Sequence, residues 1–298
     1  KNEVPYLIAQ NKSDIDKIAA ITKTAIKQYS NAEIIDFSTT QPADKGRLID
    51  ALKRIVPETA FLKSSLIGDL VKPKDVVLLI TPIDEAAPEG RLILPQSQTL
   101  RDALDNHCVV IVIKETELAD FSKLRIRPAL AISDSSAFGI VARRLPEDIP
   151  LTSFSILFAR LKGDFEAYLA GTPSISQLEE GDHVLILESC THQVSCDDIG
   201  RVKIPALLQK FTGKKLRFTV ISGLTELPAN PSEFSLVIQC GGCMITRKQL
   251  LNRLRPFTEA GVPVTNYGMA LAYLHGIFNR ATRVFDKKNT ELPLFPDY

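Results

Sequence analysis

His183-Val184-Leu185-Ile186-Leu187 runs straight into Glu188-Ser189-Cys190-Thr191-His192, and Phe234-Ser235-Leu236-Val237-Ile238 runs into Gln239-Cys240-Gly241-Gly242-Cys243. Both apolar runs are short, rich in branched residues and bounded by turn residues. That is the pattern of strands buried on both faces of a parallel sheet. Ligands of open α/β sheets gather at the carboxyl ends of strands, above all where the strand order reverses. If the two strands are neighbours, the soft thiol groups of Cys190, Cys240 and Cys243 meet at one point, which makes a metal or redox site.

The rest of the chain repeats this pattern. Residues 1–58 read as strand, helix, strand, helix: a strand at Tyr6-Leu7-Ile8-Ala9, a helix over 14–29, a strand at Ile34–Phe37 and a helix over 43–56 closed by Pro57. A unit this small buries little, so it reads as the tail of a larger domain. Strands follow at 75–80, 108–113 and 129–132, with helices over 97–106, 115–122 and 135–144. Pro146 and Pro150 break any continuing helix and mark a boundary. One helix is then predicted from Thr152 to Ala170, ended by Gly171. Strands at 183–188, 216–221, 234–239 and 263–265 come next, with helices over 204–211, 246–256 and 267–279. The fold class is α/β: successive small three-layer units with mostly parallel, Rossmann-like sheets.

Composition narrows the function. Lys plus Arg number 36 against 35 Asp plus Glu, a net charge of +1, and no basic tract occurs, so neither nucleic acid nor a membrane is an expected partner. No apolar run approaches the ~20 residues of a spanning helix and no signal peptide is apparent, so a cytoplasmic protein is expected. Five cysteines in 298 residues are not a disulfide framework. Cys108, at the start of a strand, reads as a small buried hydrophobe.

Four readings of the other cysteines compete. In the first the turn merely buries its thiols, although a third cysteine at an equivalent strand end argues against chance. A thiol oxidoreductase needs Cys-x-x-Cys at a helix N-terminus, and leaves Cys190 and His192 without a use. A zinc-stabilised adaptor bound through Cys190, His192, Cys240 and Cys243 satisfies four-coordinate geometry, but Cys-x-His is tight for a chelating knuckle. A 4Fe–4S cluster fits best, because the two glycines leave backbone N–H groups open to its sulfides. Three thiolates leave one iron with an exchangeable fourth ligand, for which His192, Cys196 and Asp197 are candidates. Asp197 is favoured, because a carboxylate is displaced more readily than a thiolate.

Cys190-x-His192, then residues 193–238, then Gln239-Cys240-x-x-Cys243 resembles the cluster motif of the FeFe-hydrogenase maturation GTPases, the HydF family. Asp198-Ile199-Gly200-Arg201-Val202-Lys203-Ile204-Pro205, Gly261–Gly268, Gly90–Gln96 and Thr152–Arg160 carry the resemblance over essentially the whole chain. Gln239 stands where that family has a histidine, and an amide is a poor iron ligand.

Asn11-Lys12-Ser13-Asp14, between a strand and a helix, is similar to the guanine-specificity motif of GTPases. Asp14 can accept two hydrogen bonds from the guanine edge, Lys12 would lie over the base, Asn11 would tie the loop, and Ser38 stands where a backbone contact to the base falls. No Gly-x-x-x-x-Gly-Lys-Ser/Thr occurs, so GTP and magnesium are expected only in a complete protein, and this chain alone is not expected to hydrolyse GTP.

The resemblance implies the remnant of a GTPase domain over 1–58, a dimerisation domain over 66–148 and an iron–sulfur domain over 149–298. It implies a homodimeric scaffold on which the di-iron subcluster of FeFe hydrogenase is assembled. Radical-SAM maturases would supply the parts, and the hydrogenase apoprotein would receive them.

Overall fold

The computed structural model describes residues 5–56, 64–83, 92–189 and 198–286. These fall into two compact units, divided between residues 56 and 64.

In the first unit β1 (Ile8–Gln10) pairs in parallel with β2 (Ile34–Asp36), and α1 (Ala20–Tyr29) and α2 (Pro42–Ile55) follow the two strands. Helix α1 starts at Ala20 rather than at residue 14. The side chain of Gln10 accounts for the delay: it accepts from the Ile18 N–H at 2.8 Å and donates to the Asp16 carbonyl, holding the intervening chain as a turn. Helix α1 buries no side chain, and Ala51 is the one fully buried apolar residue of α2.

The second unit contains two four-stranded parallel sheets of the same order. The first is β4 (Val109–Ile113), β3 (Val76–Ile80), β5 (Leu130–Ser133) and β6 (Leu151–Ser153). The second is β8 (Arg217–Ile221), β7 (His183–Leu187), β9 (Leu236–Gln239) and β10 (Val264–Asn266). Each therefore runs second, first, third, fourth, the order of flavodoxin-type doubly wound sheets, with its switch point between the first and third strands. The sheets have the helices α3 (Leu94–Asp105), α4 (Leu118–Lys123), α5 (Phe138–Arg144), α6 (Phe154–Lys162), α7 (Phe165–Gly171), α8 (Ile204–Thr212), α9 (Arg247–Glu259), α10 (Tyr267–Leu274) and α11 (Phe278–Thr282) around and between them.

Alternation along β3 divides the core. Val77 and Leu79 pack with Leu130, Ile132, Phe154 and Phe158, whereas Leu78 and Ile80 join a larger cluster that runs through Tyr168 to Val184, Ile186, Leu236 and Ile238 of the second sheet. Each of these side chains, fully removed from water, contributes roughly 1.5–3 kcal/mol. The two sheets therefore share one continuous core. Cys108 is buried as expected, in the smaller cluster with Val77 and Leu79, 7% exposed and with its thiol pushed up by burial.

The single helix predicted over 152–170 is three elements. Thr152 and Ser153 pair with Ile132 and Ser133 as the fourth strand of the first sheet. Helix α6 ends at Gly163, and the Asp164 carboxylate caps α7 by accepting from the Ala167 N–H at 3.1 Å. Helix α7 ends against β10 at Gly171, where an added Cβ would lie 2.1 Å from the Val264 carbonyl oxygen and 2.7 Å from its nitrogen. Both obstacles are strand backbone, which cannot swing aside. Gly171→Ala is expected to destabilise the fold by about 1–3 kcal/mol, read as a lower denaturant midpoint with an unchanged slope.

Candidate functional site

Strand β7 pairs with β9 in the register Leu187↔Gln239, so the strand ends leading to Cys190 and to Cys240 lie side by side at the switch point of the second sheet. The ladder continues one step beyond the strands, with the Cys240 N–H donating to the Leu187 carbonyl at 2.9 Å. The Ser189 N–H then donates to Cys240 Sγ at 3.1 Å, and the thiol lies 3.0 Å from Ser189 Oγ. Cys190, His192, Cys196 and Asp197 lie outside the described residues. Among the described residues, no group of three His, Cys, Asp or Glu side chains is placed to hold a metal ion.

The Cys240–Cys243 turn is built from backbone. Gly242 has φ +64°, the left-handed region, and a Cβ there would meet Leu250 Cδ1 at 2.4 Å. Gly241 is open, with Ser155 Oγ at 3.8 Å the nearest atom to such a Cβ. Lys162, in the last turn of α6, closes the turn from the side, its ammonium donating to the carbonyls of Gly242 (3.0 Å), Cys243 (3.1 Å) and Ile245 (3.0 Å). Arg247 answers in the opposite direction, donating to the carbonyls of Leu161 (3.1 Å) and Gly163 (3.0 Å). Burial pushes the Cys243 thiol up, reinforced by the nearby Cys240 sulfur and opposed by Lys162. Burial likewise pulls the Lys162 ammonium down, opposed by Cys243 and Cys240.

Gln239 is fully buried. Its amide nitrogen donates to Ser189 Oγ at 3.0 Å and to the Cys240 carbonyl at 3.2 Å, while Oε1 has no hydrogen-bond partner among the described residues. Arg253, on α9, is 6% exposed; Nη1 donates to the Gly223 carbonyl, and Nε and Nη2 have no partner among the described residues. Burial lowers its pKa, opposed by Cys240. Glu188, 2% exposed, is committed elsewhere, to Arg201 Nη2 at 3.0 Å and the Ser222 hydroxyl at 2.6 Å. A sulfur that accepts a backbone N–H, with a lysine ammonium against the same turn, suits a sulfur-rich anion.

The helix that follows the turn begins at Arg247 with Thr246 as its N-cap, so Cys243 stands three residues before the cap. Neither thiol occupies the helix N-terminus that a thioredoxin-like pair requires. A cavity of about 360 Å³ lined by residues that include Ser136, Ile199, Leu207 and His275 contains none of the candidate ligands.

In the first unit Lys12 has φ +58°, and its N–H donates to Asn11 Oδ1 at 2.8 Å. The Thr40 hydroxyl donates to Asp14 Oδ2 at 2.9 Å and lies 2.8 Å from the hydroxyl of Ser38. Hydrogen bonds from Ser38 and Thr40 hold the exposed Asp14 carboxyl below the usual range. Asp14 and Ser38 are thus brought to one place, with Asn11 and Lys12 in the turn that leads to it. Gly213 and Asp198 of the second unit serve structure. Gly213 ends α8 at φ +69°, and the Asp198 carboxylate caps the turn after it by accepting from the Arg201 N–H at 2.8 Å.

Residues 66–163 match the family model described as the hydrogen maturase F dimerization domain, and residues 166–284 match the one described as the hydrogen maturase F tetramerization domain. The chain belongs to the hydrogen maturase F family. No curated protein matches it. The maturase thus places the cysteine turn within the segment matching the tetramerization domain, while Ser155 and Lys162 reach it from the segment matching the dimerization domain. Among the described residues, no helix is long and apolar enough to cross a membrane.

Ser189, Lys162 and Arg253 were not singled out by sequence reasoning. Lys162 looks like any lysine at the end of an apolar helix, and Arg253 like one more charge on α9. Substitution separates the roles of the two glycines. Gly242→Ala is expected to cost about 1–2 kcal/mol from its left-handed backbone alone, and more from the contact with Leu250. Gly241→Ala is expected to leave the thermal midpoint nearly unchanged. Thermal unfolding of the two metal-free variants checks the difference.

Proposed function

We propose that the chain acts in hydrogenase maturation as a scaffold and carrier, holding a 4Fe–4S cluster through Cys190, Cys240 and Cys243. The observation that carries this reading is the bond from the Ser189 N–H to Cys240 Sγ. Cys190 is covalently next to Ser189, so the β7–β9 register delivers the start of its loop to the Cys240 sulfur. Such a cluster, when bound, supplies one iron whose fourth position is exchangeable, with Asp197 or His192 as the internal ligand. That position would receive the di-iron subcluster of FeFe hydrogenase, supplied by radical-SAM maturases and passed to the hydrogenase apoprotein. In the protein complete with a phosphate-binding loop and magnesium, Asn11, Lys12, Asp14 and Ser38 would recognise the guanine of GTP.

Anaerobic reconstitution tests the reading. Roughly four irons and four sulfides per chain are expected, lost in each of Cys190→Ala, Cys240→Ala and Cys243→Ala. Asp197→Ala should keep the iron and change the EPR spectrum of the reduced protein. One zinc without sulfide would favour the adaptor reading, and a colourless protein with a reversible Cys240–Cys243 disulfide the oxidoreductase.

The dimer fits the free edge of the first sheet. Strand β4 is its outer strand, uniformly apolar, with Val109 54% and Val112 42% exposed. Such an edge invites pairing with another chain. Val109→Lys with Val112→Lys should shift the protein to a smaller species in sedimentation, with little loss of fold stability because both positions are exposed.

A further inference from the structure

Helix α8 and the turn before it carry two apolar faces where the core needs one. Ile204 and Leu208 are fully buried in the shared core. Val202, Ala206 and Leu207 lie on another side, at the three- and four-residue spacing that lines one face of a helix. Val202 is 42% exposed and Ala206 is exposed as well, so the fold does not require either to be apolar. The turn itself, Ile199–Lys203, is π-helical. The N–H groups of Lys203 and Ile204 donate five residues back, to the carbonyls of Asp198 and Ile199. Pro205 has no N–H and cannot close the ordinary helical bond to Arg201. Wide turns of this kind are rare and occur frequently at functional sites.

The second face of α8 is one wall of the cavity of about 360 Å³. Leu271 of α10 and His275, its C-cap, make another wall, and Ser136 borders it from the segment matching the dimerization domain. Gly139 seats the imidazole by having no side chain, since a Cβ there would lie 3.3 Å from both Cε1 and Nδ1 of His275. The volume falls within the range of small-molecule sites, which pair an apolar lining with a few placed polar groups. Here the polar groups of the lining are the Lys203 ammonium, the His275 imidazole and the Ser136 hydroxyl. A carboxylate meets such a set with a charge-assisted hydrogen bond from the ammonium, whereas a cationic ligand is repelled.

We propose that this cavity binds a small amphipathic anion, an aliphatic body bearing one carboxylate. The body lies against Val202, Ala206, Leu207 and Leu271, and the carboxylate meets Lys203. The site is separate from the cysteine turn and stands whether or not a cluster is bound there.

Isothermal titration of the full chain with sodium octanoate, and with octanol as its uncharged counterpart, tests the assignment. One octanoate per chain is expected, bound about tenfold more tightly than octanol. Ala206→Phe fills the cavity from an exposed position, and should weaken octanoate by about tenfold or more without lowering the thermal midpoint. Lys203→Met should weaken octanoate by about fivefold or more and leave octanol unchanged, whereas Lys203→Arg should stay within about twofold. If Ala206→Phe lowers the midpoint, the Lys203 pair decides alone. No saturable octanoate binding, or binding that Ala206→Phe leaves untouched in a folded protein, overturns the inference. Octanol bound as tightly as octanoate, with both indifferent to Lys203→Met, overturns the anionic class. A chain that ignores octanoate but sediments as a smaller species after Ala206→Phe makes this face a contact between copies and overturns the ligand site.

Discussion

The parallel pairing of β7 with β9 is the constraint on which the site depends. The chain leaves β7, crosses to β8 on one side, and returns to lay β9 on the other, so the switch point of the sheet falls between the carboxyl ends of β7 and β9. Pairing of Leu187 with Gln239 sets the height of both loops to within a residue. A slip of one position would turn Leu185 and Leu187 to the opposite face and move Cys240 away from Ser189. The burial of Val184 through Leu187, all at 0% exposure, resists such a slip. Core packing, not the turn, therefore decides where the thiols stand.

The first sheet makes an instructive contrast, because it has the same strand order and no thiols at its switch point. There the end of β5 closes on itself: Asp134 caps the following turn by accepting from the Ser136 N–H at 3.0 Å, and the Ser135 hydroxyl donates to Ser153 at 2.9 Å. The equivalent end of β9 carries glycines in place of capping side chains. Among the described residues it is left with an unpaired amide oxygen on Gln239. One architecture thus serves once as a self-satisfied support and once as a site with unspent polar groups.

Much of this was legible in the sequence, for physical reasons that also mark the limits. Strands such as Val76–Ile80 and His183–Leu187 announce themselves because burial on both faces demands an unbroken apolar run. The adjacency of His183–Leu187 and Leu236–Gln239, the condition for the cysteines to meet, is what the sheet order displays. Thr152-Ser153 reads as a helix start rather than a strand because a three-residue strand carries too little periodicity to separate the two. The break at Gly163 escaped notice because Asp164, its capping residue, is equally at home on a helix surface. The delayed start of α1 depends on a clasp from Gln10, for which no local propensity gives warning. Around the cysteines the thiols were legible and their supports were not. Ser189, Lys162 and Arg253 work through backbone amides and carbonyls, which every residue type provides.

The reciprocal bonds of Lys162 and Arg247 explain why the site cannot be assigned to either family segment alone. Lysine reaches from the end of α6 to three carbonyls of the cysteine turn, and arginine reaches back from the start of α9 to the carbonyls that close α6. The last carbonyls of a helix lack intrahelical partners and carry its negative dipole end, so cations satisfy them at little cost. The lacing runs over a core shared by both sheets, in which Tyr168 and Ile156 touch the same cluster as Ile186 and Ile238. A displacement of α6 would therefore either break five cation–carbonyl bonds or carry the turn with it. Since the turn has no side chain at Gly241 or Gly242 to hold it independently, carrying it along is the easier course. The arrangement makes the position of Cys240 and Cys243 answerable to the segment that matches the dimerization domain.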